Sequence, residues 1–308
     1  MKISVIGAGN VGSLTAMRLA HENLGEIFLI DIVKGLGHGK ALDLEDAQGL
    51  LGINYYLKGS DDIKDLRDSD IIVVTAGLAR KPGMTREELL GKNAQILKDL
   101  SLNIKNLAPS AIIIIVTNPL DLMTYLALKI TGFNSKKLFG MGVTLDASRF
   151  ANLIAQELKV KPNDIEAVVV ASHGEGMLPL SRFTKVKGKS LDSIMDQAKI
   201  DSLVKRTVAR GAEIVSNLGS GSAFFAPSAA VAQIVKAIVK DERRILGVSA
   251  YLSGEYGVNG VCLGVPCSLG KNGIEKVIEL DLNPAEKDLF IKSAESVKGL
   301  LKSIELYL

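Results

Sequence analysis

The sequence predicts an α/β protein, with a doubly wound parallel sheet over residues 1–141 and an α+β domain over residues 142–308. Three observations carry this. Short runs nearly continuous in Ile and Val recur through the first half with helix-like segments between them, the pattern of strands buried on both faces of a parallel sheet. A glycine-rich turn follows the first of these runs. Past about residue 140 the alternation gives way to longer helix-like stretches around scattered strand-like ones.

In order, KISVI at 2–6 reads as a strand and the apolar-periodic segment at 11–22 as a helix. EIFLID at 26–31, IIVVTAG at 71–77 and AIIIIVTNP at 111–119 read as further strands, with helix-like segments at 40–50, 86–107 and 120–130. In the second half, helices are expected at 146–158, 200–216 and 228–240, around strands EAVVVAS at 166–172, SRFTKV at 181–186 and ILGVSAYL at 245–252. A last amphipathic helix near 284–305 begins after Asn283-Pro284. No repeat, low-complexity tract or Pro/Ser-rich linker separates the halves, so they are expected to pack closely with a cleft between them.

The composition excludes several classes. With 308 residues, 47% hydrophobic and 23% charged, the chain is neither disordered nor collagenous and can bury a large core. Glycine is in excess, at 30 residues. A net charge of +3 without a long block of one sign argues against a nucleic-acid partner. The densest basic stretch is Arg182, Lys185, Lys187 and Lys189; its three lysines alternate along what reads as one strand and would share an edge-protecting face. Cys262 and Cys267, five apart, would point to opposite faces of a strand and make neither a disulfide framework nor a zinc spacing, which fits a reducing compartment. Gly7, Gly9, Asn10 and Gly12 interrupt what would otherwise resemble a signal peptide, and the apolar run at 111–116 is far short of the ~20 residues that span a bilayer. A cytoplasmic protein without a membrane partner is therefore expected.

Four groups of residues carry chemistry. Gly7-Ala8-Gly9-Asn10-Val11-Gly12 lies between a strand and a helix, where glycines let the backbone turn and approach a pyrophosphate at a helix N-terminus. The second strand ends in Asp31, a carboxylate able to accept the hydroxyls of an adenosine ribose and to repel a 2′-phosphate, so this Rossmann arrangement favours NAD over NADP. Lys34, nearby, softens that preference, although it reads as a solvated lysine. The stretch from Ala79 to Arg86, with Arg80, Gly83 and Arg86, leaves the carboxyl end of a parallel strand and is positioned to fold over a ligand. Asp146 and Arg149 are three apart on a predicted helix and share a face, and His173 follows an apolar strand. A carboxylate that fixes a histidine tautomer, an arginine that grips a carboxylate and the histidine itself form a proton-transfer and anion-binding set.

These motifs, with GKALDL at 39–44, TAGLARKPGMTREELL, VTNPLD, LDASRF, His173-Gly174 and GEYG at 254–257, resemble the lactate/malate dehydrogenase family over nearly the whole chain, and especially its tetramer-forming archaeal and bacterial malate dehydrogenase branch. The resemblance implies NAD as cofactor and hydride transfer between malate and oxaloacetate. His173 would exchange a proton with the substrate oxygen, oriented by Asp146; Arg149 would hold the carboxylate next to the reacting carbon; Arg86 would polarise the carbonyl and Arg80 meet the distal carboxylate. Asn118 would contact substrate and cofactor, and Ala223 would line the substrate side. Thr75, Ala76, Gly77, Asn93 and Val116 would join Gly7, Gly9, Asn10, Val11, Gly12 and Asp31 around the cofactor. Lactate dehydrogenases of the family generally carry Gln where Arg80 stands, so the arginine favours a dicarboxylate. The family's acidic residue before the histidine is Ser172 here, and its Asp two residues after is Glu175, which leaves the pH optimum open. No metal is implied. The competing expectations are a lactate or other 2-hydroxy acid dehydrogenase, an NAD-binding sensor without turnover, and the related NAD-dependent glycosidases, for whose metal the sequence offers no convincing Cys/His pair. A homodimer or homotetramer is expected, with the GKALDL helix among its contacts.

Overall fold

The computed structural model describes residues 1–78 and 85–308. In the first half, β1 (Lys2–Ile6), α1 (Asn10–His21), β2 (Glu26–Ile30), α2 (Leu36–Leu51), β3 (Leu57–Ser60), β4 (Ile71–Val74), α3 (Arg86–Leu107), β5 (Ile112–Ile115), α4 (Leu120–Thr131) and β6 (Leu138–Gly140) follow one another. The six strands lie parallel in the order β3-β2-β1-β4-β5-β6. Helices cover both faces, so the central strands are buried on each side, which is why IIVV and IIII carry no polar alternation.

The second half begins with α5 (Val143–Leu158), β7 (Ile165–Glu166), β8 (Val169–Ala171), β9 (Met177–Pro179), β10 (Lys185–Val186) and β11 (Lys189–Ser190). It continues through α6 (Gln197–Leu218), α7 (Phe225–Val239), β12 (Arg244–Ser253), β13 (Asn259–Gly270), β14 (Gly273–Val277) and α8 (Pro284–Leu301). β12 and β13 form a long antiparallel pair, and β12 joins the parallel sheet through Ser249 opposite Gly140 of β6. The result is one sheet of 11 strands running through both halves. The larger hydrophobic core follows it, from Ile3 and Val5 through Val231, Val248 and Val265 to Phe290. A second, smaller core lies under α5 and α6. Among the described residues no helix is long and apolar enough to cross a membrane.

Several expectations are corrected. EAVVVAS is two short strands, β7 and β8, that belong to different sheets, because Ile165 pairs with Val186 while Ala171 pairs with Gly264 and Met177. SRFTKV is strand only at Lys185–Val186. The three lysines do not share one strand: Lys187 and Gly188 both have positive φ, 49° and 80°, and turn the chain so that Val186 faces Lys189 across a hairpin. Arg182, the fourth basic residue, is paired with Glu286, at 2.8 Å from Nη2 and 3.2 Å from Nε. Cys262 and Cys267 are buried free thiols within β13. β3, β6, β9 and β14 lacked a sequence expectation: β3 is LKGS, β6 is LFG and β9 is MLP, too short for a periodicity to register.

The last helix starts where Asn283-Pro284 directs it. Asn283 Oδ1 accepts from the Glu286 N–H at 2.9 Å and its own N–H donates to Glu286 Oε2 at 2.8 Å, a reciprocal cap with Pro at the first helical position. Asn283→Ala is expected to cost about 1 kcal/mol of stability by losing this cap, read as a lower urea midpoint with an unchanged m value.

Candidate active site

The parallel strands release their loops on one side of the sheet. After β1 the chain passes Gly7-Ala8-Gly9 into α1, whose N-cap Gly9 supplies no side-chain acceptor, so the first-turn amides remain suited to an anionic ligand. Gly7 has φ +102°, and a Cβ there would come within 2.8 Å of Ala76 N and Thr75 Oγ1. A Cβ on Gly12 would fall on the Gly7 carbonyl oxygen. Nothing lies within 4 Å of the Cβ position at Gly9. The outer two glycines are thus demanded by protein packing, and the middle one leaves room above the helix start. Asn10 opens the helix on its exposed side and Val11 packs against the larger core.

Asp31 directly follows β2 and is pinned to this turn, its Oδ2 accepting the Ala8 N–H at 2.6 Å and its Oδ1 the Val33 N–H at 2.9 Å. Lys40 of α2 reaches back to the same turn, donating to the Ala8 carbonyl at 2.6 Å and to Ser13 Oγ at 3.0 Å. That lysine lies within the quoted GKALDL motif, but only the fold brings it to the glycine turn.

Beyond β4, Thr75 Oγ1 donates to the Ile6 carbonyl at 3.0 Å, and Thr117 Oγ1 donates to the Ala76 carbonyl at 2.6 Å. Val116 continues β5, with its N–H on the Val74 carbonyl. Asn93 is buried: its Oδ1 accepts the Leu78 N–H at 2.8 Å and its Nδ2 donates to the Asn118 carbonyl at 2.8 Å. The amide of Asn93 therefore clamps the loop after Gly77 to the loop after β5, while the Asn118 residue itself is exposed.

α5 starts at Val143, earlier than the apolar pattern suggests, so Asp146 falls in its first turn. The Asp146 side chain is fully buried, its Oδ2 lying 2.7 Å from His173 Nδ1 and its Oδ1 3.1 Å from Arg149 Nη1. His173 and Arg149 keep 14% and 12% of their side chains exposed, whereas Asp146 keeps none. Arg149 Nε is buried without a partner. β8 delivers His173 through Ala171, a non-glycine residue at φ 73°. Ser172 Oγ accepts the Ser293 hydroxyl of α8 at 3.1 Å, so the serine that departs from the family's acidic residue anchors this loop through its side chain, beside a main-chain bond from its N–H to Ser293 Oγ at 3.2 Å. A residue the sequence reading passed over completes the group: Asp121, in the first turn of α4, accepts the His173 main-chain N–H at 2.9 Å. It stands in the quoted VTNPLD motif, but only the fold brings it to the histidine. Ala223 lies in the loop entering α7. Arg80 lies outside the described residues, and of Arg86 only its place at the start of α3 is described.

Residues 1–140 match the lactate/malate dehydrogenase NAD binding domain, and residues 143–307 match the lactate/malate dehydrogenase alpha/beta C-terminal domain. The chain belongs to the lactate/malate dehydrogenase family. Its cofactor is accordingly NAD and its substrates are 2-hydroxy acids and their keto partners. Malate dehydrogenase of Methanosarcina mazei is 49% identical over 99% of this chain and 100% of its own. The crystal structure of Cryptosporidium parvum malate dehydrogenase superposes with a TM-score of 0.96 at 39% identity, covering 99% of both chains. Lactate dehydrogenase of the same organism, in complex with lactic acid and nicotinamide adenine dinucleotide, gives 0.95 at 37% identity over 99% of this chain and 98% of the other. The family fold is thus equally compatible with either substrate.

Burial opposes a charge on His173, but the charge and hydrogen bond of Asp146, with the charge of Asp121, outweigh it and raise its pKa above the ordinary 6.5. A histidine that must be neutral to accept a proton and charged to donate one then works best in opposite directions on either side of that pKa. The pH profile of kcat/KM is expected to show the acid limb of hydroxy-acid oxidation above pH 6.5 and keto-acid reduction extending above the same point. Limbs at or below 6.5 in both directions would contradict the raised pKa.

Proposed function

We propose that the chain interconverts malate and oxaloacetate, with NAD(H) taking or supplying the hydride. The observation that carries this is the buried set of His173, Asp146 and Arg149, tied through Asp121 to the helix that follows the Asn118 turn. Gly7, Gly9, Asn10, Val11 and Gly12 hold the pyrophosphate, and Asp31 takes the ribose diol. Thr75, Ala76, Gly77 and Val116 line the cofactor, with Asn93 holding their loops in place. Arg149 grips the carboxylate beside the reacting carbon, where its fork matches the two oxygens. With Nδ1 committed to Asp146, His173 works through Nε2, giving its proton to the substrate oxygen during reduction and recovering it during oxidation. Asp146 keeps the ring in that orientation and offsets the imidazolium charge. Arg86 polarises the carbonyl, Asn118 contacts it, and Ala223 limits the substrate side.

Arg80 selects the substrate. A guanidinium closed into a site without its second carboxylate would be an unpaired charge, a cost of about 3–5 kcal/mol where one partner of a buried pair is missing. The full-length likeness to a malate dehydrogenase supports the same reading. The domain boundary falls at 141/142, and a cytoplasmic homodimer or homotetramer forms through α2, whose Leu42, Leu50 and Leu51 are exposed on this chain.

NADH oxidation is expected with oxaloacetate at a kcat/KM at least a hundredfold above that with pyruvate, the ~3 kcal/mol of an unpaired arginine. Faster turnover of pyruvate would overturn the assignment. Arg80→Gln is expected to reduce this ratio by raising the KM for oxaloacetate preferentially; an equal loss with both substrates would remove Arg80 as the discriminator. NADPH is expected to be a poorer donor than NADH, as Asp31 repels its 2′-phosphate.

A further inference from the structure

Asp121 has no chemical step in the assignment above, yet it is a carboxylate buried beside the proton-transferring histidine. Both of its oxygens are used. Oδ2 accepts the His173 main-chain N–H at 2.9 Å, and Oδ1 accepts the Ser249 hydroxyl of β12 at 2.5 Å. It sits in the first turn of α4, where the helix dipole favours an anion, three residues after Asn118. Three elements therefore meet at one carboxylate: the turn leaving β5, the loop after β8, and the strand that joins the two parts of the sheet.

We propose that Asp121 is a positioning residue whose ionised carboxylate fixes the His173 main chain against the Asn118 turn and sets a negative charge beside the histidine. The inference rests on His173 being the acid/base of the reaction. An amide could keep both bonds, accepting the His173 N–H on its oxygen and donating to the Ser249 hydroxyl, so what the carboxylate adds is its charge. The charge acts on the ring through a site buried from solvent, where water screens little. Among the described residues, the ionisable groups facing this pair are Asp146 and Arg149 of α5 and Cys262 of β13, the last a buried thiol held neutral by burial, with Lys129 further along α4 opposite it. Burial pushes Asp121 up to about 6, against the Ser249 and His173 bonds and the histidine's charge. The group is thus ionised through the neutral range and neutralised as the medium turns acid.

The test is a proton NMR titration of the histidine C2 resonances in the ligand-free protein, which needs no turnover and so reads Asp121 separately from the substrate assignment. There are three histidines, and His173→Gln identifies the signal of interest. In Asp121→Asn the His173 midpoint is expected to fall by about half a pH unit or more, a threefold or greater loss of proton affinity, and the alkaline limb of oxaloacetate reduction should fall with it. A folded Asp121→Asn protein with an unmoved midpoint, whatever its activity, overturns the proposal and leaves Asp121 a structural acceptor only. If that variant does not fold, Ser249→Ala reads the same effect. Losing the hydroxyl removes a bond that favours the charged carboxylate, so Asp121 ionises at higher pH and the His173 midpoint moves down by a smaller amount. An unchanged midpoint there overturns the proposal as well.

Discussion

A single buried carboxylate, Asp146, organises the chemistry of the second half. Its two oxygens are divided between an imidazole and a guanidinium, so one side chain sets the direction of the His173 ring and of the arginine beside it. A carboxylate so fully removed from water is tolerable only with such partners, and removing either would leave a charge unmatched at a cost of about 3–5 kcal/mol. The requirement propagates outward. α5 has to begin at Val143 to place Asp146 in its first turn, β8 has to end in the strained Ala171 to deliver His173, and Gly264 has to be small where β13 pairs with Ala171.

The cofactor side follows from the strand order. With β1 and β4 adjacent and their connections running to opposite faces, the sheet opens a crevice at the carboxyl ends of these two strands, where the order reverses. Gly7 leaves one strand and Thr75-Ala76 leaves the other, and they touch across that crevice. Asp31, Lys40 and Asn93 then act as fasteners. Each ties a loop at this edge to its neighbour through bonds made within the protein.

Much of this was legible in the chain itself. The glycine turn with Asp31 after the next strand, the Asp146 and Arg149 spacing, and the histidine after an apolar run single out candidate site residues, because each obeys a local rule of turn, helix or strand. What was not legible depends on contacts between distant segments. Asp121 and Ser249 look like ordinary helix-start and strand residues until the fold brings them to His173. Lys40 stands in GKALDL without a role of its own until α2 lies across the glycine turn. EAVVVAS reads as one strand because its apolar content is continuous, and its division into β7 and β8 is decided by partners far along the chain. The lysine hairpin fails for a different reason: Lys187 adopts a positive φ that its residue type does not advertise.

The sheet that passes without interruption from β3 to β9 has a mechanical meaning. In enzymes whose halves are joined only by flexible strands of linker, engulfing a substrate is a matter of one body rotating on another. Here the rung between Gly140 and Ser249, backed by a core shared across the junction, makes the floor beneath cofactor and substrate a single plate. The distance from the Gly9 turn to His173 is then set by covalent and hydrogen-bonded structure rather than by binding. A rearrangement that separated the Gly9 turn from His173 would have to break that rung, so the sheet itself holds the two in register.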